Sequence, residues 1–349
     1  MNDMSFYDAI SELNINLENR MFTVCDGVHA GEKMVVSAGA LVWMSDETGF
    51  FSMHADEAIS AENGGLTSIG GVRVFAELIG HEKEIVLCGA GHVSMPVITI
   101  AKMMGFRVTA IDDRESFVQN ALERGADEGI CMGFGEALDK IPGGSDTFFV
   151  IVTRGHRGDA ECLLRIVKKP FAYVGMIGSR RKVALVKQTL ADEGIAQDII
   201  EAVHTPIGLD IGAETPEEIA VAIMAEIIEV KNKSKKTGGF PRELMKVLLS
   251  DERDPVVMAT IISKKGSSPR GAGTRMLVKR DGSITGTIGG GCAEATVMNY
   301  AKEVLSSLDS KEKSEAVSPV IMNVDMTGKQ IEDDGMICGG AIEVLLEIV

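Results

Sequence analysis

Ile85-Val-Leu-Cys-Gly89-Ala-Gly91-His92-Val-Ser94-Met-Pro96 decides how this chain folds. An apolar run enters a glycine turn, and a helical pattern leaves it. Gly89 permits a tight turn. Gly91 lets a pyrophosphate approach the helix N-terminus, where unpaired N–H groups and the dipole favour negative charge. The next apolar run ends in Ile111-Asp112-Asp113-Arg114. Asp112 stands where an acid, about twenty residues on, can accept ribose hydroxyls. Ser94 replaces the third glycine of the pattern, and His92 lies within the turn. Further apolar runs near 128–132, 147–152 and 172–177 continue the alternation of strand and helix. That alternation predicts a Rossmann-like, doubly wound parallel sheet with helices on both faces. Such a fold serves NAD(P), S-adenosylmethionine and other nucleotides, or no ligand at all, so the fold does not name the ligand.

Two more loops follow strand ends, where open parallel sheets bind ligands. They are Thr153-Arg154-Gly-His156-Arg157-Gly-Asp159 and Gly178-Ser179-Arg180-Arg181-Lys182. In an acidic chain, two basic clusters at one sheet edge suggest a phosphate-bearing ligand. Residues 180–182 read equally as a solvated helix start, although cations in a first helical turn oppose the dipole. Thr215-Pro-Glu-Glu218 opens a later helix with an N-cap, a proline at the first helical position and a capping-box glutamate.

Beyond a charged, glycine-bearing linker at 231–241, the pattern changes. A helix near 242–250 precedes a strand at 256–262, a hairpin around Asp281-Gly282 and a last strand at 342–348. Between them stands Ile284-Thr-Gly-Thr-Ile-Gly289-Gly290-Gly291-Cys292-Ala-Glu294. It reads as a strand, a three-glycine turn and a helix. A cysteine at a helix start tends towards the thiolate, suited to a soft metal, an electrophile or a neighbouring anion. The alternative is a small residue packing a tight turn. The first eighty residues carry a faint repeat of this section. Gly31-Glu-Lys-Met34-Val-Val36 resembles Gly273-Thr-Arg-Met276-Leu-Val278, and the segment from Gly70-Gly71 resembles that from Gly339-Gly340. The front copy lacks the cysteine turn. The expected organisation is a β-rich segment over 1–80, a nucleotide-binding unit over 81–230, the linker 231–241 and an α+β cysteine domain over 242–349.

Composition excludes several classes. A net charge of −16 argues against nucleic acid or an anionic membrane as the main partner. No apolar stretch is long enough to span a bilayer, and the acidic N-terminus does not read as a signal peptide. The six cysteines are scattered without a C-x-x-C pair, which fits reduced thiols in the cytoplasm.

Taken together, these residues resemble the XdhC/CoxI family. Gly266-Ser-Ser-Pro-Arg270, Gly286-Thr-Ile-Gly-Gly-Gly-Cys292-Ala-Glu294 and Cys338-Gly-Gly-Ala-Ile-Glu343 are similar to the three signatures of its cysteine domain. Leu87-Cys-Gly-Ala-Gly-His-Val93, 173–182, 206–212 and 215–220 are similar to its Rossmann domain. Family members usually carry the cysteine domain first; here the order is reversed. The resemblance implies an accessory factor, more a cofactor-insertion chaperone than an enzyme. Such a factor binds the molybdenum cofactor, protects it during sulfuration and helps insert it into a xanthine dehydrogenase-type hydroxylase. A cysteine desulfurase is a further implied partner. Cys292 answers to the family's cysteine and would meet the molybdenum. Gly289, Gly290, Gly291, Glu294, Arg270 and Cys338 would surround the cofactor. Gly89, Gly91, His92, Asp112, Ser179 and Arg180 would bind the nucleotide. The competing reading is an NAD(P)-dependent oxidoreductase or sulfur carrier that uses Cys292 itself. A homodimer is expected, because a domain of about a hundred residues needs a partner surface to enclose a large ligand.

Overall fold

The computed structural model describes residues 4–14, 16–61, 64–80, 82–233, 239–250, 254–266, 270–308, 318–325 and 340–349. The chain forms two compact units. One joins Met1–His81 to Lys235–Val349, and the other is Glu82–Ser234.

The first unit opens with α1 (Phe6–Ser11), β1 (Asn19–Val24), β2 (Lys33–Ser37), β3 (Ala40–Met44), α2 (Phe50–Ser60), β4 (Gly65–Ile69) and β5 (Val72–Leu78). The strands form an antiparallel sheet in the order β3-β2-β1-β5-β4. On one face α2 packs Phe50, Phe51 and Ala58 against Phe22, Val24, Met34 and Val36. On the other, Ile10 and Leu13 meet Met21, Val35 and Ile79. Both faces of β1 are therefore covered, and all six of its residues are buried.

The second unit is the parallel one. It contains β6 (Glu84–Cys88), α3 (Ser94–Met103), β7 (Arg107–Asp112), α4 (Glu115–Glu123), β8 (Glu128–Cys131) and α5 (Phe134–Lys140). It continues with β9 (Gly144–Ile151), α6 (His156–Ile166), β10 (Phe171–Met176), α7 (Arg180–Asp192), α8 (Gln197–Glu201) and α9 (Pro216–Lys233). Every strand pair is parallel, in the order β10-β9-β6-β7-β8. Strands covered on both faces must be apolar on both. Ile85 and Leu87 accordingly face Val97, Ile98 and Ile223, whereas Val86 and Cys88 face Leu138, Leu163 and Val186. The strand order reverses between β6 and β9, which puts a binding crevice at their carboxyl ends.

The first unit resumes with α10 (Arg242–Leu248), β11 (Val257–Gly266), β12 (Arg275–Val278), β13 (Ile284–Gly286), α11 (Gly291–Ser307), β14 (Val320–Asp325) and β15 (Gly340–Ile348). Its antiparallel sheet runs β13-β12-β11-β15-β14. The element order and strand order thus repeat those of residues 6–78.

Candidate functional site

In the parallel unit the crevice is built around Gly89. Its φ is +110°, and a Cβ there would lie 2.6 Å from the Val152 carbonyl oxygen. No side chain fits where the β6 turn passes the end of β9. Gly91 is different: nothing lies within 4 Å of its would-be Cβ. That open side is where the backbone can take a bulky ligand. Ser94, in the place of the third glycine, is buried and donates its hydroxyl to the Gly89 carbonyl at 2.5 Å. A cleft of about 430 Å³ lies beside the turn, lined by Ala90, Gly91, His92, Met95, Phe117 and residues of α4. His92 is exposed at its mouth.

Asp112 sits at the end of β7 as expected, but its oxygens are already engaged. Oδ2 accepts from the Ala90 N–H at 2.9 Å and from Arg114 Nη2 at 2.9 Å; Oδ1 accepts from Arg114 Nε at 2.8 Å. Burial alone would raise this carboxyl's pKa; the Arg114 guanidinium and the Ala90 amide outweigh it and hold the group below its usual range. In this arrangement Asp112 is first a clamp on the glycine turn. A ribose would reach its carboxylate only by displacing Arg114, whose guanidinium stacks on Phe117.

The two basic loops lie at the same carboxyl edge, and the structure gives two of their cations acid partners. Lys182 closes on Asp159, which is fully buried and also accepts from the Thr153 hydroxyl at 2.6 Å. Arg154 pairs with Asp113 at 2.8 Å. Ser179 caps α7 by accepting from the Lys182 N–H, and Arg180 is the first residue of that helix. The clusters are therefore less free than their sequence implies, because acids distant in sequence share the edge.

The sequence reading missed one constellation here. Glu226 on α9 accepts from the Tyr173 hydroxyl at 2.5 Å and the Gly208 N–H at 3.0 Å, and lies 3.0 Å from His204 Nδ1. Burial drives the Tyr173 pKa upward, and its bond to Glu226 adds to that. Glu226 ties the segment after α8 to β10, where His204 and Gly175 form a parallel bridge. Nothing in the sequence spacing signals it.

In the other unit, strand directions gather the cysteine-domain motifs at one sheet end. β11 leaves at Gly266, β12 enters at Arg275, β13 leaves at Gly286 and β15 enters at Gly340. Arg270 is exposed in the loop ahead of β12. Cys338 lies outside the described residues. Gly289, Gly290 and Gly291 have φ values of +124°, +77° and +63°, all in the region that glycine alone adopts freely. Nothing lies within 4 Å of a would-be Cβ at Gly290 or Gly291. Cys292 falls in the first turn of the 17-residue α11. The turn keeps its shape through Glu294. Its Oε1 accepts from the Thr287 hydroxyl at 2.5 Å, the Gly290 N–H at 2.9 Å and the Ile288 N–H at 3.1 Å. Burial opposes ionisation of Glu294, yet the Thr287 hydroxyl and these amides hold its pKa below the ordinary value. The result is an open backbone cradle at a helix N-terminus with a thiol in its first turn. By contrast, burial pushes the Cys25 thiol up to about 12, out of reach of thiolate chemistry near neutrality. Among the described residues, no three His, Cys, Asp or Glu side chains are grouped to hold a metal ion. No described helix is long and apolar enough to cross a membrane.

Residues 85–227 match the model of the XdhC Rossmann domain, and residues 249–313 match that of the XdhC and CoxI family. The chain belongs to the XdhC/CoxI family. Over 185 residues it is 34% identical to protein YqeB of Escherichia coli (strain K12), covering 53% of this chain and 33% of that protein. Over 160 residues it is 28% identical to a probable xanthine dehydrogenase subunit of Bacillus subtilis (strain 168), covering 46% of each. The matched stretches thus span between a third and a half of these relatives' own lengths. A crystal structure described as a xanthine dehydrogenase from Bacillus halodurans aligns with a TM-score of 0.48 and 21% identity, over 64% of this chain and 63% of that one. The two XdhC/CoxI family matches fall one in each structural unit.

Proposed function

We propose that this protein is an accessory factor for molybdenum hydroxylases. On this reading the C-terminal module binds the molybdenum cofactor at the Cys292 turn. It holds the cofactor for sulfuration and insertion into a xanthine dehydrogenase-type apo-enzyme. The observation that carries the reading is the turn itself: consecutive positive-φ glycines, open space beside Gly290 and Gly291, and a cysteine at the start of a long helix. A thiolate suits a soft metal, and a helix N-terminus suits the phosphate of the pterin. Cys292 would face the metal. The amides of the first turn of α11, with Arg270, would hold the phosphate. Glu294 would keep the glycines in position by its bonds to Ile288 and Gly290. When bound, the cofactor supplies the molybdenum centre that the client enzyme uses. Membership of the XdhC/CoxI family and the likeness to the B. subtilis protein support a role in hydroxylase maturation. The parallel unit would hold a phosphate-bearing nucleotide across Gly89–Gly91.

Cys292→Ala should reduce molybdenum-cofactor retention while leaving the fold largely intact, because the substitution removes a single sulfur atom. Pterin fluorescence after oxidative release, on protein from a molybdenum-supplied host, measures this. Equal retention by wild type and variant would remove the thiol from the proposed role. The exposed His92 beside the crevice keeps a nicotinamide oxidoreductase as the second reading. A bound nicotinamide with hydride transfer, in protein free of pterin, would favour it.

A further inference from the structure

The two halves of the first unit repeat each other rung by rung. Met21 lies between Val35 and Glu77, as Met258 lies between Leu277 and Glu347. Phe22 lies between Met34 and Ala76, as Ala259 lies between Met276 and Leu346. Thr23 lies between Lys33 and Phe75, as Thr260 lies between Arg275 and Leu345. The cores obey the same equivalence: Met34, Val36 and Val74 stand where Met276, Val278 and Val344 stand. The ladders keep the pairing of Met34 with Met276 expected from sequence. They shift the later one by a residue, so that Val72 answers to Ile342 rather than Ala341. A one-residue slip would turn every side chain to the wrong face.

Contacts between the halves follow a twofold rule. Lys33 pairs with Glu347 at 2.5 Å, and in the reciprocal place Arg275 pairs with Glu77. All four side chains are at most 10% exposed. Phe75 and its equivalent Leu345 share one cluster with Cys25 and Ile262, which follow the equivalent residues Val24 and Ile261. Arg73, two residues before Phe75, meets Glu343, two residues before Leu345, at 2.8 Å. Equivalent positions meet each other in this way only beside a twofold axis. Phe6 lies under the cation of its own half, Lys33, as Phe240 lies under Arg275. These two rings meet edge to face at 5.9 Å.

Reciprocal pairs around self-opposed positions are the signature of an isologous interface. We propose that the face of the C-terminal module carrying Ile262, Arg275, Leu345 and Glu347 is a homotypic docking surface. Its occupant is a module of the same fold, and in this chain the N-terminal module is that occupant. The chain is an internal dimer with one cysteine turn. Where α11 opens on Gly291-Cys292, α2 opens on the buried pair Phe50-Phe51, and Glu32 accepts the Phe50 N–H at 2.7 Å. Charge at the axis selects the mixed pairing. Arg73 faces Glu343, whereas two C-terminal modules would set Glu343 against Glu343, a repulsive contact that disfavours the wrong partner.

The test uses full-length chains with reversed charges. Lys33→Glu and Glu347→Lys should each lower the melting temperature by about 6–12 °C, since each leaves buried like charges opposed. The double variant in one chain should recover most of that loss. Co-expressing the two single variants under different tags is the decisive arm. The N-terminal module of the Lys33→Glu chain then finds a charge-matched face on the Glu347→Lys chain, and the remaining modules form the wild-type pair. A one-to-one heterodimer, copurifying through either tag and melting near the double variant, is expected. Co-expressed single variants that purify as separate chains and melt as they do alone would overturn the proposal. Wild-type chains co-expressed under the same two tags should not copurify through this face.

Discussion

At the scale of single residues, the two glycine turns differ in what their glycines do. Gly89 has no room for a side chain, and Gly91 has open space. Gly89→Val should therefore destabilise the parallel unit by about 1–3 kcal/mol or more, through both strain and overlap with Val152. Gly91→Val should leave the melting temperature nearly unchanged and abolish nucleotide binding, because the branched side chain fills the space a pyrophosphate needs. Circular dichroism melts paired with calorimetric titrations of NAD, NADP, ATP, CTP and S-adenosylmethionine separate these effects. A Gly91→Val protein that binds as the wild type does would show that no ligand crosses that turn. Glu294 offers a pH test. Its folded-state pKa lies below the ordinary carboxylate value, so the stability it contributes is present above about pH 4.3 and is lost as pH falls through the folded pKa. Glu294→Gln should flatten that acid limb of the stability curve at the start of α11. Unchanged acid sensitivity, followed by hydrogen exchange of the α11 amides, would count against this account.

At the scale of elements, local chemistry was legible wherever neighbours in sequence supply it. The capping box at α9 is formed as its residues imply: Thr215 Oγ1 accepts the Glu218 N–H at 3.2 Å, and Glu218 accepts the Thr215 N–H at 3.0 Å. Thr215→Ala should cost about 1 kcal/mol, read as a shift of a few degrees in the calorimetric melt of the parallel unit. The strands of the parallel sheet were equally legible, because both faces are buried and each strand reads as an apolar run. Clamps made by distant partners were not. Asp112 carries the signature of a ribose acceptor, but the amide of Ala90, 22 residues earlier in the chain, occupies one of its oxygens. Lys182 reads as a free cation, but Asp159 on α6 takes it.

At the scale of the whole molecule, each unit has its own core, and the first is assembled from the two ends of the chain. Its halves are held by charges that water scarcely reaches. The Arg275 and Glu77 side chains are each 1% exposed, and Arg275 also donates to the Gly239 and Gly273 carbonyls at 2.9 Å. Arg275→Met would leave Glu77 buried without the guanidinium that balances its charge, at a cost of about 3–5 kcal/mol. Denaturant unfolding should show this as a lower midpoint for the first unit. A loss below about 1 kcal/mol would mean that water reaches Glu77 in the folded protein. Because the sheet face of the cysteine module is already covered within the chain, an association between chains would use other surfaces.

Local sequence patterns alone were enough for the parallel sheet, the two glycine turns, the cap of α9 and the membership of the XdhC/CoxI family. The turns and the cap rest on residues within one turn of each other, where spacing alone sets the geometry, and the sheet and the family rest on such local patterns recurring in order along the chain. The sequence also hinted at the repeat, through glycines and a methionine at matching places. The packed fold was needed to establish that residues 6–78 and 242–348 share one topology, which residues are equivalent, and that their charges cross in reciprocal pairs. Lys33 and Glu347 belong to opposite ends of the chain, and no local period links them. Their pairing follows from two twisted sheets meeting face to face. That fact belongs to the packed molecule rather than to any stretch of its sequence.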